Sequence, residues 1–237
     1  MNGIIRKRKS IRKYDMAGLD SQTLKKVQAK FSDVKPLYPD IRFSIETVNK
    51  TKGIFSVKAP HYLILRSEAK DGAFENVGFI GQQMDLFFSE SGLGSCWLGM
   101  AKPEKDPDNA LPFVISMAFG KPAEPLYREL SGFKRKPLAE ISEGSDARLE
   151  AARLAPSGMN AQNWYFIAEN GAIHCYLTKG NPLSSFMSDR LGRIDMGIAL
   201  CHIMKESGGG YCFSKAKGAP ERKGAIYVGT VSVKQNR

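Results

Sequence analysis

Hydrophobic residues recur along the chain at two spacings, which predict alternating helices and strands. Over Phe74–Glu90 they fall on one face of a 3.6-residue period, and this predicts a long helix that ends at Gly92. A shorter helix is predicted over Ser21–Phe31, with Asp20 as its N-cap. Short runs rich in β-branched and aromatic residues predict strands over Ile41–Val48, His61–Arg66 and Phe113–Phe119.

The second part of the chain repeats this order of elements. Two helices are predicted, near Ser145–Ala155 and Asp189–Glu206, and three strands, over Trp164–Ala168, Ile173–Thr178 and Ala225–Val233. The triplets Asn76-Val77-Gly78 and Asp195-Met196-Gly197 occupy matching places in the two long helices. Two helix–strand units can look alike by chance, but the matching order of elements favours an internal duplication.

Composition restricts the class of protein. The 237 residues suffice for one large domain or two small ones, and a hydrophobic fraction of 42% supports a core. No apolar run is long enough for a membrane span, and the basic N-terminus lacks the apolar stretch of a secretory signal. The histidines are scattered, and the cysteines show neither CxxC nor metal spacing (Cys96, Cys175, Cys201, Cys212). We therefore expect reduced thiols, no metal site and a cytoplasmic protein.

The net charge of +11 predicts anionic partners. Phosphorylated cofactors fit this charge. Nucleic acid would fit it too, but the charges are spread along the chain and no stacking-aromatic motif accompanies them, which counts against nucleic-acid binding.

Two short segments carry candidate chemistry. Arg8, Ser10 and Arg12 suit a phosphate, because guanidinium groups give charge-assisted hydrogen bonds to its oxygens and a serine adds a short donor. A solvated basic N-terminus is the alternative. Pro156-Ser157-Gly158 predicts a turn that ends a helix and allows close backbone approach to a flat ligand, followed by the polar side chains Asn160 and Gln162. An ordinary helix C-cap is the alternative there.

Together, Arg8-Lys9-Ser10-Ile11-Arg12 and the Ala-Pro-Ser-x-x-Asn-x-Gln sequence that begins at Ala155 resemble the two signature motifs of the FMN-dependent nitroreductase family. In that family the second motif follows the first within a few dozen residues, whereas here about 140 residues separate them. One departure is Asn163, where the family usually has proline before the tryptophan.

The displacement has a structural interpretation within the resemblance. Nitroreductases are typically intertwined homodimers with FMN at the subunit interface: the basic segment and a Gly-rich loop come from one subunit, and the Pro-Ser-x-x-Asn turn from the other. Residues 1–141 resemble a subunit that has Val34–Pro39 in place of the turn, and residues 142–237 resemble one that keeps only the turn. The resemblance thus implies the internally duplicated, single-chain branch, a fused dimer with one complete FMN site, competent as a monomer.

The fold and the roles of residues follow from the same resemblance. We expect an α+β fold with mixed, mainly antiparallel sheets flanked by helices, in which two pseudo-repeats form a pseudo-dimer. The expected FMN contacts are to the phosphate and ribityl chain (Arg8, Ser10, Arg12), with added charge at the phosphate (Lys134 or Arg135), along the isoalloxazine through backbone amides (Trp97, Leu98, Gly99) and from the closing turn (Pro156, Ser157, Gly158, Asn160). Asn49 and Lys52 are weaker candidates for the pyrimidine edge, and Trp97 could equally be a core aromatic.

The implied activity is a ping-pong reaction. NAD(P)H reduces the flavin and leaves, and a small electron acceptor, a nitroaromatic or a quinone in an assay, takes its place. No side chain need act as acid or base, because the cofactor carries the hydride. A non-catalytic flavin-binding protein is the principal alternative.

Overall fold

The computed structural model describes residues 3–53, 57–107, 110–178 and 185–234, with the backbone alone at 185–188. In the first half the described residues form α1 (Ser21–Asp33), β1 (Phe43–Val48), β2 (Thr51–Gly53), β3 (His61–Ser67), α2 (Ala73–Glu90), β4 (Gly94–Leu98), β5 (Ala101–Pro103), β6 (Phe113–Gly120) and α3 (Leu138–Ile141), in this order. A 3₁₀ turn at Leu130–Gly132 precedes α3.

The second half continues directly from α3. Its elements are β7 (Ser142–Glu143), α4 (Arg148–Arg153), β8 (Trp164–Glu169), β9 (Ala172–Thr178), α5 (Ser185–Ser207), β10 (Tyr211–Ser214) and β11 (Ala225–Val233). Two 3₁₀ turns, at Gly158–Asn160 and Gly208–Gly210, follow α4 and α5.

The two main sheets have the same topology. The first has the strand order β1-β3-β6-β4, and the second has β8-β9-β11-β10, with β7 added parallel at the edge beside β8. In each sheet the four shared strands pair antiparallel. A long helix lies between the second and third of these strands in chain order, with α2 between β3 and β4 and α5 between β9 and β10. A separate pair, β2 and β5, lies outside these sheets. The predicted α+β fold, with mainly antiparallel sheets flanked by helices, is confirmed, and the shared topology of the two sheets agrees with the predicted pseudo-repeats.

Most predicted elements are present with small changes at their ends, and the reasons for the larger changes are local. α1 begins after Asp20, whose carboxylate accepts the Thr23 N–H at 2.8 Å and so caps the helix as predicted. The helix predicted over Ser145–Ala155 covers only Arg148–Arg153, because Asp146 binds the Arg148 N–H and side chain ahead of it.

Two strands were not predicted from the sequence. The Gly-rich segment after Gly92, where no strand was predicted, contains the strand β4, whose register against β6 pairs Cys96 with Ala118 and Trp97 with Met117. This five-residue strand was not predicted because glycines at 92, 94 and 99 interrupt the hydrophobic pattern. β10 was missed for a similar reason, since it follows three consecutive glycines.

A single large hydrophobic cluster joins the two halves. It includes the inner faces of both sheets and the contacting faces of α2 and α5, represented by Leu63, Met117, Ile80, Ile198 and Phe166. A smaller cluster lies on the outer face of the first sheet, where Ile11 and Tyr14 of the N-terminal segment pack on Tyr62 and Cys96. No helix within the described residues is both long and apolar enough to cross a bilayer.

Candidate functional site

The N-terminal basic segment runs along the free edge of β4. The Ile11 N–H donates to the Ser95 carbonyl oxygen at 2.9 Å, and Ser10 forms an isolated parallel bridge with Ser95. Arg8 forms an isolated antiparallel bridge with Tyr127. The segment is therefore ordered between β4 and the chain near residue 127, and it is not a solvated tail.

Arg8 is fully buried and is held by an acidic partner on α2. Its Nε lies 2.9 Å from Oδ2 of Asp85, and its Nη2 donates to Ser10 Oγ at 3.3 Å. Asp85 is held in turn by Ser95 Oγ at 2.7 Å and Gln82 Nε2 at 2.8 Å. The Arg8 guanidinium therefore has a fixed position, buried between Asp85 and Ser10.

Further arginines gather around Arg8, and they repel one another. Burial, followed by repulsion from Arg8 and Arg12, lowers the pKa of Arg128. Burial, followed by repulsion from Arg8, Arg128 and Arg153, lowers the pKa of Arg135 to about 10. Arg153 is neutralised by Glu150, but no acidic partner faces Arg128 or Arg135 in the described part of the chain.

The same arginines have unused donors. Arg8 Nη1, Arg128 Nε and Arg135 Nε are buried without a hydrogen-bond partner among the described residues. Buried donors without partners cost about 1–3 kcal/mol each, and more when charged. An anion that accepted these hydrogen bonds would remove that cost together with the mutual repulsion. The cluster therefore fits a phosphate group.

The Pro-Ser-Gly turn of the second half is joined to this cluster. Arg135 Nη1 donates to Oδ1 of Asn160 at 2.5 Å, and Asn160 Nδ2 donates to the Lys134 carbonyl oxygen at 2.8 Å. The Lys136 N–H donates to Oε1 of Gln162 at 2.9 Å. Of the two residues expected to add charge, Arg135 belongs to the arginine cluster, whereas Lys134 is exposed and contributes only its backbone carbonyl to the turn.

The turn has an unusual backbone that its hydrogen bonds maintain. Met159, Asn160 and Gln162 all have positive φ, at 50°, 58° and 51°. Such values are uncommon for residues other than glycine. Ser157 Oγ accepts the Gln162 N–H at 3.1 Å, which closes the turn across its base. Ser157 and Asn160 thus shape the turn, and the flavin contacts expected of them stay predictions.

A carboxylate on α5 holds the middle of the turn. Both Asp195 oxygens lie 3.0 Å from the Gly158 nitrogen, and the side chain is only 5% exposed. Burial raises the pKa of Asp195 to about 7, against the lowering effect of the Gly158 hydrogen bond. Leu191, one turn before Asp195, lies beside both Gly158 and Gly99. A Cβ atom added to Gly158 would lie 4.0 Å from a methyl carbon of Leu191, and one added to Gly99 would lie 3.4 Å from a methyl carbon of the same side chain. The segment Trp97–Gly99 and the turn therefore meet at Leu191.

The ring of Trp97 is directed into the protein. It packs against Gly81 of α2, and its Nε1 donates to Oε1 of Gln82 at 3.2 Å. The same Gln82 contacts Asp85 and His202, so Trp97 and Arg8 share one buried polar network. The side chain thus fits the core alternative, and only the backbone of β4 from Trp97 to Gly99 is left for the expected flavin contact.

The weaker candidates have other partners. Asn49 Oδ1 lies 3.0 Å from His61 Nδ1, and Lys52 Nζ donates to the Glu104 carbonyl oxygen at 2.7 Å. A cavity of about 710 Å³ lies elsewhere, on the outer face of the second sheet beside Tyr176 and Tyr227, and none of the predicted site residues lines it. No group of acidic, histidine or cysteine side chains that could hold a metal ion occurs among the described residues.

Sequence reasoning missed four residues of this site, namely Arg128, Arg153, Asp85 and Asp195. The two arginines lie in segments without a motif, so only the fold brings them to Arg8. Asp195 gave a signal, because it begins one of the two matched helix triplets, but its partner in the turn could not be deduced from spacing.

Comparison with known proteins identifies the family. The family model described as "Putative TM nitroreductase" matches residues 2–207, which include both motifs and the arginine cluster. The chain belongs to this nitroreductase family. A solved structure described as a putative nitroreductase from Thermotoga maritima matches with a TM-score of 0.64 and 20% identity, over 96% of this chain and 90% of that chain.

Other solved nitroreductases are shorter matches. A nitroreductase family protein from Clostridium difficile 630 is 20% identical over 59% of this chain and 96% of its own, with a TM-score of 0.47. A protein described as an FMN-dependent nitroreductase from Clostridium difficile R20291 is 19% identical over 56% of this chain and 95% of its own, with a TM-score of 0.44. Among curated proteins, no match to this nitroreductase was found.

Proposed function

We propose that this nitroreductase is an FMN-dependent oxidoreductase that passes a hydride from NAD(P)H, through the bound flavin, to a small acceptor. The observation that carries the proposal is the arginine cluster around Arg8, which has unused donors and no sufficient counter-charge within the described residues. The donors come from the basic segment of the first half and from Arg135, which is bonded to the turn of the second half. A phosphate there would connect the two halves.

The proposed site has two ends, one that would bind the phosphate and one that would bind the ring. Arg8, Ser10 and Arg12 would hold the phosphate together with Arg128 and Arg135. Because Arg8 is fixed by Asp85, its guanidinium loses little conformational entropy on binding. The ion pair leaves Nη1 unused, so that nitrogen can still donate to a phosphate oxygen.

The other end would receive the ring. The backbone of Trp97–Gly99 at the edge of β4 and the turn Pro156–Gly158 approach each other at Leu191, and they would lie on either side of a flat ligand. Asn160, tied to Lys134 and Arg135, would fix the distance between the two ends. When bound, FMN would supply the hydride chemistry, and the protein would supply orientation and electrostatics.

The first test identifies the cofactor. Purified protein is denatured, and any released chromophore is identified by chromatography. We expect FMN, because the cluster provides for one phosphate and the chain carries no Gly-x-Gly-x-x-Gly fingerprint for a dinucleotide. Recovery of FAD, or no binding after incubation with excess FMN, would refute the proposal.

The second test separates an enzyme from a flavin-binding protein. Holoprotein is mixed with NADH or NADPH without oxygen, and the flavin absorbance is followed. We expect bleaching with at least one nucleotide and recovery when a quinone or nitroaromatic is added. Tight FMN binding without bleaching by either nucleotide would leave a non-catalytic flavoprotein.

A further inference from the structure

Asp195 and Asn76 occupy the same position in the two halves. Each begins one of the matched triplets on the long helices, and each accepts hydrogen bonds from the backbone of the turn that follows the first helix of its own half, Asn76 from two N–H groups and Asp195 from one. Asn76 Oδ1 accepts from Leu37 at 2.8 Å and from Tyr38 at 3.0 Å. Asp195 accepts from Gly158 at 3.0 Å with both oxygens.

This equivalence distinguishes two possible roles of Asp195, the anchoring of the turn and a role that depends on its ability to ionise. A neutral amide is sufficient to anchor the turn, as Asn76 demonstrates in the first half. Burying a carboxylate instead is costly, because the charged form loses its hydration. The acid occurs only in the second half, whose turn faces the basic segment. Anchoring of the turn therefore does not explain why this residue is an acid.

The charged groups on neighbouring elements are engaged elsewhere. Glu75 of α2 pairs with Arg193 at 2.9 Å, and on α4 Glu150 pairs with Arg153. Arg190, on the same helix as Asp195, donates to the Val114 carbonyl oxygen. His202, two turns further along α5, lies between Gln82 and the Ala151 carbonyl oxygen. Among the described residues, the Gly158 N–H is the group that Asp195 binds.

Asp195 is therefore a buried acid without a counter-charge among the described residues, next to the place where the segment Trp97–Gly99 and the turn approach each other. Leu191 touches Gly99 and Gly158 on the same side of α5. Met159, in the turn itself, is fully exposed, so solvent reaches the outer side of the turn. Burial places the pKa of Asp195 near 7, where a modest change of local charge alters its protonation.

We propose that Asp195, besides positioning the turn, binds a proton from solvent when the flavin of the proposed site is reduced. Two electrons and one proton, supplied by NAD(P)H as a hydride, leave the flavin with one more negative charge. A second proton, taken from solvent, converts the Asp195 carboxylate to the neutral acid, so the net charge of the site is unchanged. This proposal rests on the proposed function.

The pH dependence of the flavin midpoint potential tests it. Each proton bound with two electrons makes the equilibrium change tenfold per pH unit, which is about 30 mV. We expect the slope for wild-type holoprotein to rise from about 30 mV per pH unit below pH 7, where Asp195 already carries its proton, towards about 60 mV per pH unit above pH 7, and D195N to stay at about 30 mV per pH unit throughout. The amide keeps an acceptor for Gly158, so D195N should still bind FMN, whereas D195A should bind it at least tenfold more weakly.

N76D is the matched control, because it places the same acid at the equivalent position of the other half. It should leave the slope of wild type unchanged. An unchanged slope in D195N, or an equal change in N76D, would overturn the proposal. If D195N does not fold, the infrared difference spectrum of reduced minus oxidised wild type decides, since protonation of Asp195 requires a new carboxylic-acid band and its absence contradicts the proposal. Failure to bind FMN at all would instead refute the proposed function.

Discussion

Gly78 and Gly197 meet the opposite long helix in the same way. A Cβ on Gly78 would collide with the backbone carbonyl of Ile194, and a Cβ on Gly197 would collide with that of Glu75. Since Gly78 follows Glu75 by three residues, and Gly197 follows Ile194 by three, the contact is reciprocal. The crossing of α2 and α5 is thus an approximate two-fold axis, and both helix backbones approach closely there.

This crossing predicts that alanine at either glycine is strongly destabilising. The atom in the way is backbone, which cannot move aside as a side chain could, so G78A or G197A must separate the helices. We expect each to lower the free energy of unfolding by at least about 2 kcal/mol. Urea unfolding measures the loss, and G209A, which has open space around it, is the control. A loss below that of the control would contradict a close crossing.

The sequence predicted the order of the main helices and strands, because that order depends on local periodicity. It did not predict β4 and β10, since their glycine-rich flanks carry no strand pattern. For the site, the two motifs gave Arg8 and the turn. Arg128 and Asp195 could not be found from motifs, because their roles depend on which segments the sheets bring together.

The arginine cluster predicts opposite effects on the free and the anion-bound protein. R135Q removes a cation that is repelled by Arg8, Arg128 and Arg153. We therefore expect the protein without cofactor to be unaffected or more stable. We expect FMN affinity to fall by about ten- to a hundredfold, since a charged hydrogen bond contributes about 1.5–3 kcal/mol. Flavin fluorescence titration and urea unfolding measure the two effects.

Inorganic phosphate should reproduce part of this behaviour. A ligand that binds only the folded state raises the melting temperature. We expect phosphate to raise the melting temperature of wild type and to have less effect on R135Q. R42Q is the matched control, because Arg42 is an exposed arginine that pairs with Glu68 away from the cluster. An equal effect on R135Q and wild type would place phosphate elsewhere.

Asp195 predicts a pH dependence of stability with a definite sign. Its pKa in the folded protein, about 7, lies above its ordinary value of 3.8, so ionisation favours the unfolded chain. The contribution of Asp195 to the free energy of unfolding is therefore fully present below about pH 4 and is lost as the pH rises to about 7. The free energy of unfolding of D195N does not fall in this way, because asparagine does not ionise. We expect D195N to gain on wild type between pH 5 and 8, by at most about 3 kcal/mol, most of it between pH 5 and 7.

Urea unfolding at a series of pH values measures this difference. His202 has the opposite tendency, because burial lowers its pKa to about 3 and its contribution is lost as pH falls below about 6.5. It is present in both proteins, so it cancels when D195N is compared with wild type. A difference that does not change with pH would show that Asp195 is ionised at pH 5 already.

The position equivalent to the proposed flavin site is filled by protein in the other half. There Tyr38 follows the turn anchored by Asn76, and its ring packs edge-on against Phe213 with centroids 5.7 Å apart. Phe213 follows Cys212 in β10 as Trp97 follows Cys96 in β4. The Tyr38 ring also covers Gly72, where an added Cβ would lie 2.8 Å from it. Aromatic contacts therefore occupy the place where the other half offers an open turn.

We therefore predict one FMN for each chain. The basic segment around Arg8 and the turn around Gly158 belong to the same chain and are joined through Arg135 and Asn160, so a monomer should bind the cofactor without a partner. Flavin content and mass are measured on one sample by size exclusion with light scattering. Y38A removes the ring that fills the equivalent position but adds no phosphate ligand, so this variant should still bind one FMN for each chain. Two flavins per chain would contradict the asymmetry of the halves, and flavin found only in a dimer peak would contradict a site built within one chain.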